Sequence, residues 1–127
     1  MRTTSAFPVR GYRGLIAWQK AMDLAELLLD ISDRIRPSQR TGLVSQLRRA
    51  AISIPCNIAE GHGRPTRGEY AYSVGVSQGS LQEAETLLEL ALRRKALTES
   101  SVIPALEASD ECARIIRGSR QSLIRPR

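Results

Sequence analysis

GLVSQLRRAAISIPCNIAEGHGR, residues 42–64, begins as an amphipathic helix and then places a proline, an asparagine and two glycines within nine residues. Leu43, Leu47, Ala50, Ile54 and Ile58 keep an i, i+3, i+4 rhythm on both sides of Pro55. A proline inside a helix removes one backbone hydrogen bond and costs about 3 kcal/mol. An apolar stripe that resumes in phase nevertheless predicts one helix, bent at Pro55, running from near Thr41 to Gly61 or Gly63. Asn57 is placed to satisfy a carbonyl that the proline leaves free, and Gly61 and Gly63 end the helix and turn the chain.

The neighbouring segments have the same character. In GLIAWQKAMDLAELLLDISDRI, one stripe is Leu15, Trp18, Met22, Ala25 and Leu29, and a second beside it is Leu24, Leu28, Ile31 and Ile35. So wide an apolar face belongs to a helix packed on more than one neighbour, and Pro37 is expected to stop it. A third helix is expected from about Gly68 to Ala96 on Val74, Leu81, Ala84, Leu88, Ala91 and Leu92. Its Gly75 and Gly79 suggest a backbone in close approach. Thr98 is placed to cap a fourth helix carried by Val102, Leu106, Ala113, Ile116 and Leu123, with Ser109 on the same stripe and a start displaced beyond Thr98 by Pro104. Four helices with short connections predict an all-α, antiparallel up-and-down four-helix bundle. A basic arm, 1–11, precedes a bundle domain, 12–125.

The chain of 127 residues carries a formal charge of +6, which turns attention to polyanions. The charge is segregated. Residues 37–68 carry five arginines against Glu60 alone, and the stretch from Arg114 to Arg127 has five arginines and no acid. Residues 69–111 are net acidic. Cys56 and Cys112 fit no disulfide framework or zinc motif and read as buried free thiols in a reducing compartment. No signal peptide or membrane-spanning run is legible, so a soluble cytoplasmic protein is expected.

Catalytic signatures are absent. His62 lacks any local carboxylate or cysteine spacing that would make it a base or a ligand, and Glu85 and Glu89 lack the Glu-x-x-His units of a di-iron bundle. No enzyme activity and no cofactor are expected. Adjacent helical positions point about 100° apart, so Arg48 and Arg49 cannot both face the core. One role for them is phosphate contact, with Lys20, Arg40, Arg64 and Arg67. The other is a structural ion pair with Glu60, Glu83 or Glu85, or plain solvation, which is the commoner fate of a single surface arginine. No interleaved aromatics mark a base-stacking surface, so no sequence-specific reading of bases is expected. Surplus apolar surface on the first and third helices points to self-association.

LIAWQKAMDL, GLVSQLRRAAISIPCNIAEGHGR and GSLQEAETLL, in this order, resemble the four helix bundle protein family, also called the 23S rRNA intervening-sequence protein. The resemblance covers roughly residues 12–125, with its motif on Trp18, Gln19 and Lys20, on Ser45 to Ala51, and on Ser53 to Gly61. It departs at Cys56, where serine is common, and at Ala84, where leucine is. The resemblance implies a homopentameric barrel without enzymatic activity. It extends to the accessory variability determinant proteins of diversity-generating retroelements, which bind nucleic acid and associate with a reverse transcriptase. The expected function is electrostatic binding of RNA or DNA backbones by an oligomer. The alternative is a scaffold that recruits a protein such as a reverse transcriptase, and an enzyme with a metal in the bundle core ranks below both.

Overall fold

The computed structural model describes residues 6–40 and 42–126. Its helices are α1 (Ile16–Asp33), α2 (Leu43–His62), α3 (Arg67–Arg93) and α4 (Glu99–Ile124), with short 3-10 segments at Gly11–Gly14 and Pro37–Gln39. No strand occurs among the described residues. Pairings across the seams fix the helix directions. Ser53 meets Ser80, Ile54 meets Ser77 and Gly61 meets Ser73, so α2 and α3 run antiparallel. Glu85 with Ser109, and Gly75 with Arg120, show the same for α3 and α4. Each helix packs on the next and α1 closes on α4, which is the up-and-down bundle read from the sequence.

Of the two stripes on α1, Leu24, Leu28, Ile31 and Ile35 are buried, whereas Leu15, Trp18 and Leu29 only flank the core. The helix ends at Asp33, four residues before Pro37, and Ile35 reaches the core from the connection. Arg40 takes over the C-terminus of α1, donating to the Asp33 and Ile35 carbonyls at 3.1 and 3.2 Å.

The second helix runs unbroken through Pro55, as its stripe requires. It begins at Leu43 behind Gly42, whose φ of +82° favours glycine; the expected start at Thr41 lies outside the described residues. Two expectations for this segment are corrected. The carbonyl deprived by Pro55 is that of Ala51, four residues back, but Asn57 Nδ2 donates instead to the Ser53 carbonyl and hydroxyl, each at 2.9 Å. Gly61 does not end the helix: it is buried within it, and a Cβ there would stand 2.7 Å from Ser73 Cβ and 3.1 Å from the Tyr70 ring. The helix stops one residue later, at His62, with Gly63 as its C-cap in ordinary right-handed conformation.

On α3, Thr66 accepts from the Glu69 amide at 3.1 Å and its hydroxyl donates to the Glu69 carboxylate at 3.0 Å, a capping pair that starts the helix at Arg67. The helix ends at Arg93 and not at Ala96. Lys95 adopts a left-handed φ of +58°, and the Ala96 and Lys95 amides donate back to the Ala91 and Leu92 carbonyls in a Schellman turn. Gly75 and Gly79 do not admit a neighbouring backbone. Gly75 faces the Arg120 side chain, and Gly79 looks into open space.

Pro104 does not delay α4, which begins at Glu99 directly after Thr98, although the Thr98 side chain makes no capping bond. Val102, Ser109 and Ile116 are buried as read, but Leu106 is exposed and Ala105 and Cys112 are buried in its place. Small side chains let α4 lie close to its neighbours, so bulk alone misplaces this stripe.

Of the two thiols, Cys112 is buried as read, whereas Cys56 is exposed. Burial, reinforced by Glu111, pushes the Cys112 thiol up to about 12. At pH 8 a thiol reagent should therefore label one cysteine in the native protein and two in denaturant, and Cys56→Ser should abolish native labelling. Thermal unfolding checks the seam. Gly61→Ala should cost about 1–3 kcal/mol by overpacking, whereas Gly79→Ala, in open space, should gain about 0.5–1 kcal/mol.

Candidate functional site

The six cations singled out by sequence do not assemble into one patch. Arg40 and Arg48 lie where α1 passes into α2, whereas Arg64 and Arg67 lie at the other end of α2. From Arg48 to the end of α2 at His62 the helix rises about 21 Å along its axis, and Arg64 lies beyond that end. Lys20 is on α1, where its Nζ stands 3.3 Å from Glu111 of α4.

Most of these side chains have structural partners. Arg48 Nε donates to the Ser32 hydroxyl at 2.9 Å, and the same guanidinium pairs with Asp33 at 2.6 Å. The acid is thus Asp33, and not Glu60, Glu83 or Glu85. Ser32 is itself buried and donates to the Leu29 carbonyl at 2.6 Å, so Arg48 completes the polar end of α1. Arg64 pairs with Glu60 one turn earlier at 3.3 Å, and Arg67 donates to the Ser122 carbonyl of α4 at 2.8 Å. Arg49, adjacent to Arg48 and turned outward, is exposed and makes no ion pair or side-chain hydrogen bond among the described residues.

Other groups of chemical interest are spoken for. His62 is exposed at the end of α2, edge-on to Tyr70 at 5.8 Å, and burial pushes the Tyr70 hydroxyl above its usual range. Glu85 accepts from Ser109, and Glu89 pairs with Arg93 at 3.0 Å. No group of three or more His, Cys, Asp or Glu side chains suited to a metal forms among the described residues.

Two features were not legible in the sequence. Arg13 lies over the rings of Phe7 at 4.6 Å and Trp18 at 5.0 Å, with Tyr12 edge-on to Trp18. This cation–π cluster holds the described part of the basic arm against α1. Phe7 and Trp18 are separated by Pro8, Gly11 and Gly14, so no continuous helix or strand links them in the sequence. The second is Arg120, whose side chain crosses to α3 at Gly75. The expected stability contrast is that Arg48→Ala lowers unfolding free energy by about 1 kcal/mol, while Arg49→Ala changes it by less than about 0.5 kcal/mol. Urea titration of the two variants checks this.

No helix among the described residues is long and apolar enough to cross a membrane. No curated protein matches the chain. Among solved structures, it is similar to a protein of unknown function from the S23 ribosomal protein family of Bacteroides thetaiotaomicron VPI-5482. The TM-score is 0.77 at 18% identity, over 84% of this chain and 99% of that one, a likeness of fold. The family model described as 23S rRNA-intervening sequence protein matches residues 13–118, which is most of the chain and takes in α1, α2, α3 and the greater part of α4. The protein belongs to the 23S rRNA-intervening sequence protein family.

Proposed function

We propose that this protein is a non-enzymatic oligomer, a homopentamer by resemblance, that binds RNA or DNA through the phosphate backbone. The supporting observation is how its charge is distributed. Carboxylates are absent from residues 112–126, where Arg114, Arg117, Arg120 and Arg125 follow one another, and of these only Arg114 has an acid beside it, Asp110 at 2.8 Å. With Arg49, several guanidiniums face no counterion among the described residues. A ring of five copies would multiply the charge of +6 fivefold and attract polyanions strongly at low salt. The resemblance in sequence motifs to the accessory variability determinant proteins, which bind nucleic acid, is consistent with this reading.

A scaffold that recruits a protein such as a reverse transcriptase is the second reading. Exposed Ile103 and Leu106 on α4 and Leu90 on α3 favour it, since each leaves a large apolar side chain in solvent.

Fluorescence anisotropy of a labelled RNA and a matched DNA duplex, titrated across a salt series, separates the two. Backbone binding predicts a linear fall of log affinity with log salt, and Arg49→Glu should weaken binding and reduce the slope by about 1. No binding even at low salt would overturn the nucleic-acid reading in favour of the scaffold.

A further inference from the structure

The face between α3 and α4 carries a cation that the fold itself leaves without a counterion. Arg120 packs its guanidinium into a notch on α3, where a Cβ at Gly75 would lie 3.1 Å from Nε. That Nε is buried and has no hydrogen-bond acceptor. Arg114, on the same helix, is paired; Arg120 makes no ion pair among the described residues. A partly desolvated guanidinium that nothing neutralises is placed to receive an anion from outside. With Nε enclosed against Gly75, donation falls to the two terminal nitrogens, and the notch holds them in position before a ligand arrives.

The surroundings say which anion. Arg120 lines a groove of about 340 Å³ with Tyr72, Val76 and Gln78. Tyr72 is 73% exposed, so its ring face is available at the rim. Neither residues 70–82 of α3 nor residues 112–124 of α4 contain a carboxylate. Arg117, one turn before Arg120, is exposed and makes no ion pair among the described residues, and Arg67 reaches the Ser122 carbonyl just beyond Arg120. Cations therefore run along α4 while an aromatic ring stands across the groove on α3. An acidic peptide would answer the charge but make no use of the ring. A phosphate on a guanidinium with a flat base on a tyrosine uses both, and stacking of this kind accepts any base.

The geometry points to the α3–α4 groove as a seat for single-stranded nucleic acid, with a phosphate on Arg120, flanked by Arg117 and Arg67, and a base stacked on Tyr72. This rests on the nucleic-acid reading above and gives it a location that does not depend on Arg49.

The test is anisotropy with a labelled oligouridylate and a duplex RNA of equal length, on the full chain and four variants, with sedimentation of each. Tyr72→Ala should weaken oligouridylate binding about tenfold and duplex binding much less, because only unpaired bases offer a face for stacking. Arg120→Gln should weaken both about fivefold and reduce the salt slope by about 1. Gly75→Ala keeps every charge but displaces the guanidinium, and should weaken binding about threefold with helix content unchanged. Arg94→Gln, at the far end of α3, is the control and should leave affinity unaltered. Equal losses from Arg94→Gln and Arg120→Gln would overturn the site in favour of diffuse attraction. Wild-type binding that ignores Tyr72→Ala, Arg120→Gln and Gly75→Ala would also overturn it while leaving the nucleic-acid reading intact. A change in sedimenting mass without a change in affinity would assign the groove to contact between copies. Absence of wild-type binding would remove the broader reading and the site together.

Discussion

The seam between α2 and α3 is the constraint on which the rest of the bundle depends. Gly61 brings α2 down onto the Tyr70 and Ser73 side of α3, closer than any side chain would permit. Farther along, Ser77 donates to the Ile54 carbonyl at 2.7 Å, and Ser53 and Ser80 share a 2.7 Å hydrogen bond. Small polar residues at these positions satisfy one another across a narrow gap, where larger apolar ones would force the helices apart. The short connection after Gly63 leaves α3 only the antiparallel direction, and the seam sets its register. Pro55 lies in the middle of this contact, tolerated because the surrounding helix is held by packing rather than by its own ladder alone.

Arginine does two kinds of work in this molecule. Arg40 closes the end of α1, Arg48 completes the polar site around buried Ser32, and Arg67 ties the start of α3 to the end of α4. A guanidinium suits these tasks because it presents several donors in a fixed plane and stays charged throughout the ordinary pH range. Arg49, Arg117 and Arg120 have no such assignment among the described residues, and neither do Arg34, Arg36 and Lys95 around the far end of α3, so these cations can act on something outside the chain. The basic character of the sequence is therefore partly consumed in building the fold, and the remainder is concentrated rather than uniform. On the second half of α4 it coincides with the acid-free first half of α3, which gives that side of the bundle cations without intervening carboxylates.

Membership of the 23S rRNA-intervening sequence protein family, and the fold shared with the Bacteroides protein of unknown function, establish architecture without assigning a ligand. The chemistry of the described surface narrows the choice. Exposed guanidiniums recognise phosphates without reading sequence, and a lone exposed tyrosine accepts a base without selecting it. The scaffold reading draws on different residues, the apolar Leu90, Ile103 and Leu106. Both surfaces can coexist on one molecule, since they need not occupy the same face.

The sequence by itself determined the helical class, the order and number of the helices, and most of the core. Each of these follows from periodicity, which is a local property: Leu24, Leu28, Leu47, Ile54, Leu81 and Leu88 are buried where their spacing placed them. It also carried α2 through Pro55, because a stripe in phase on both sides admits no other continuation. It misjudged what depends on neighbours. Leu106 is exposed and the adjacent Ala105 is buried in its place, because burial on α4 follows closeness of approach rather than bulk. Gly61 was taken as a terminator and Gly75 as a backbone contact, since a glycine in a sequence does not reveal what lies opposite it. Arg48 found Asp33, fifteen residues away, and Arg120 met Gly75 at a separation of forty-five. Only the tertiary structure could decide which arginines were spent on the fold and which were left for a ligand, because charge pairing is set by distance in space and the sequence records only distance along the chain.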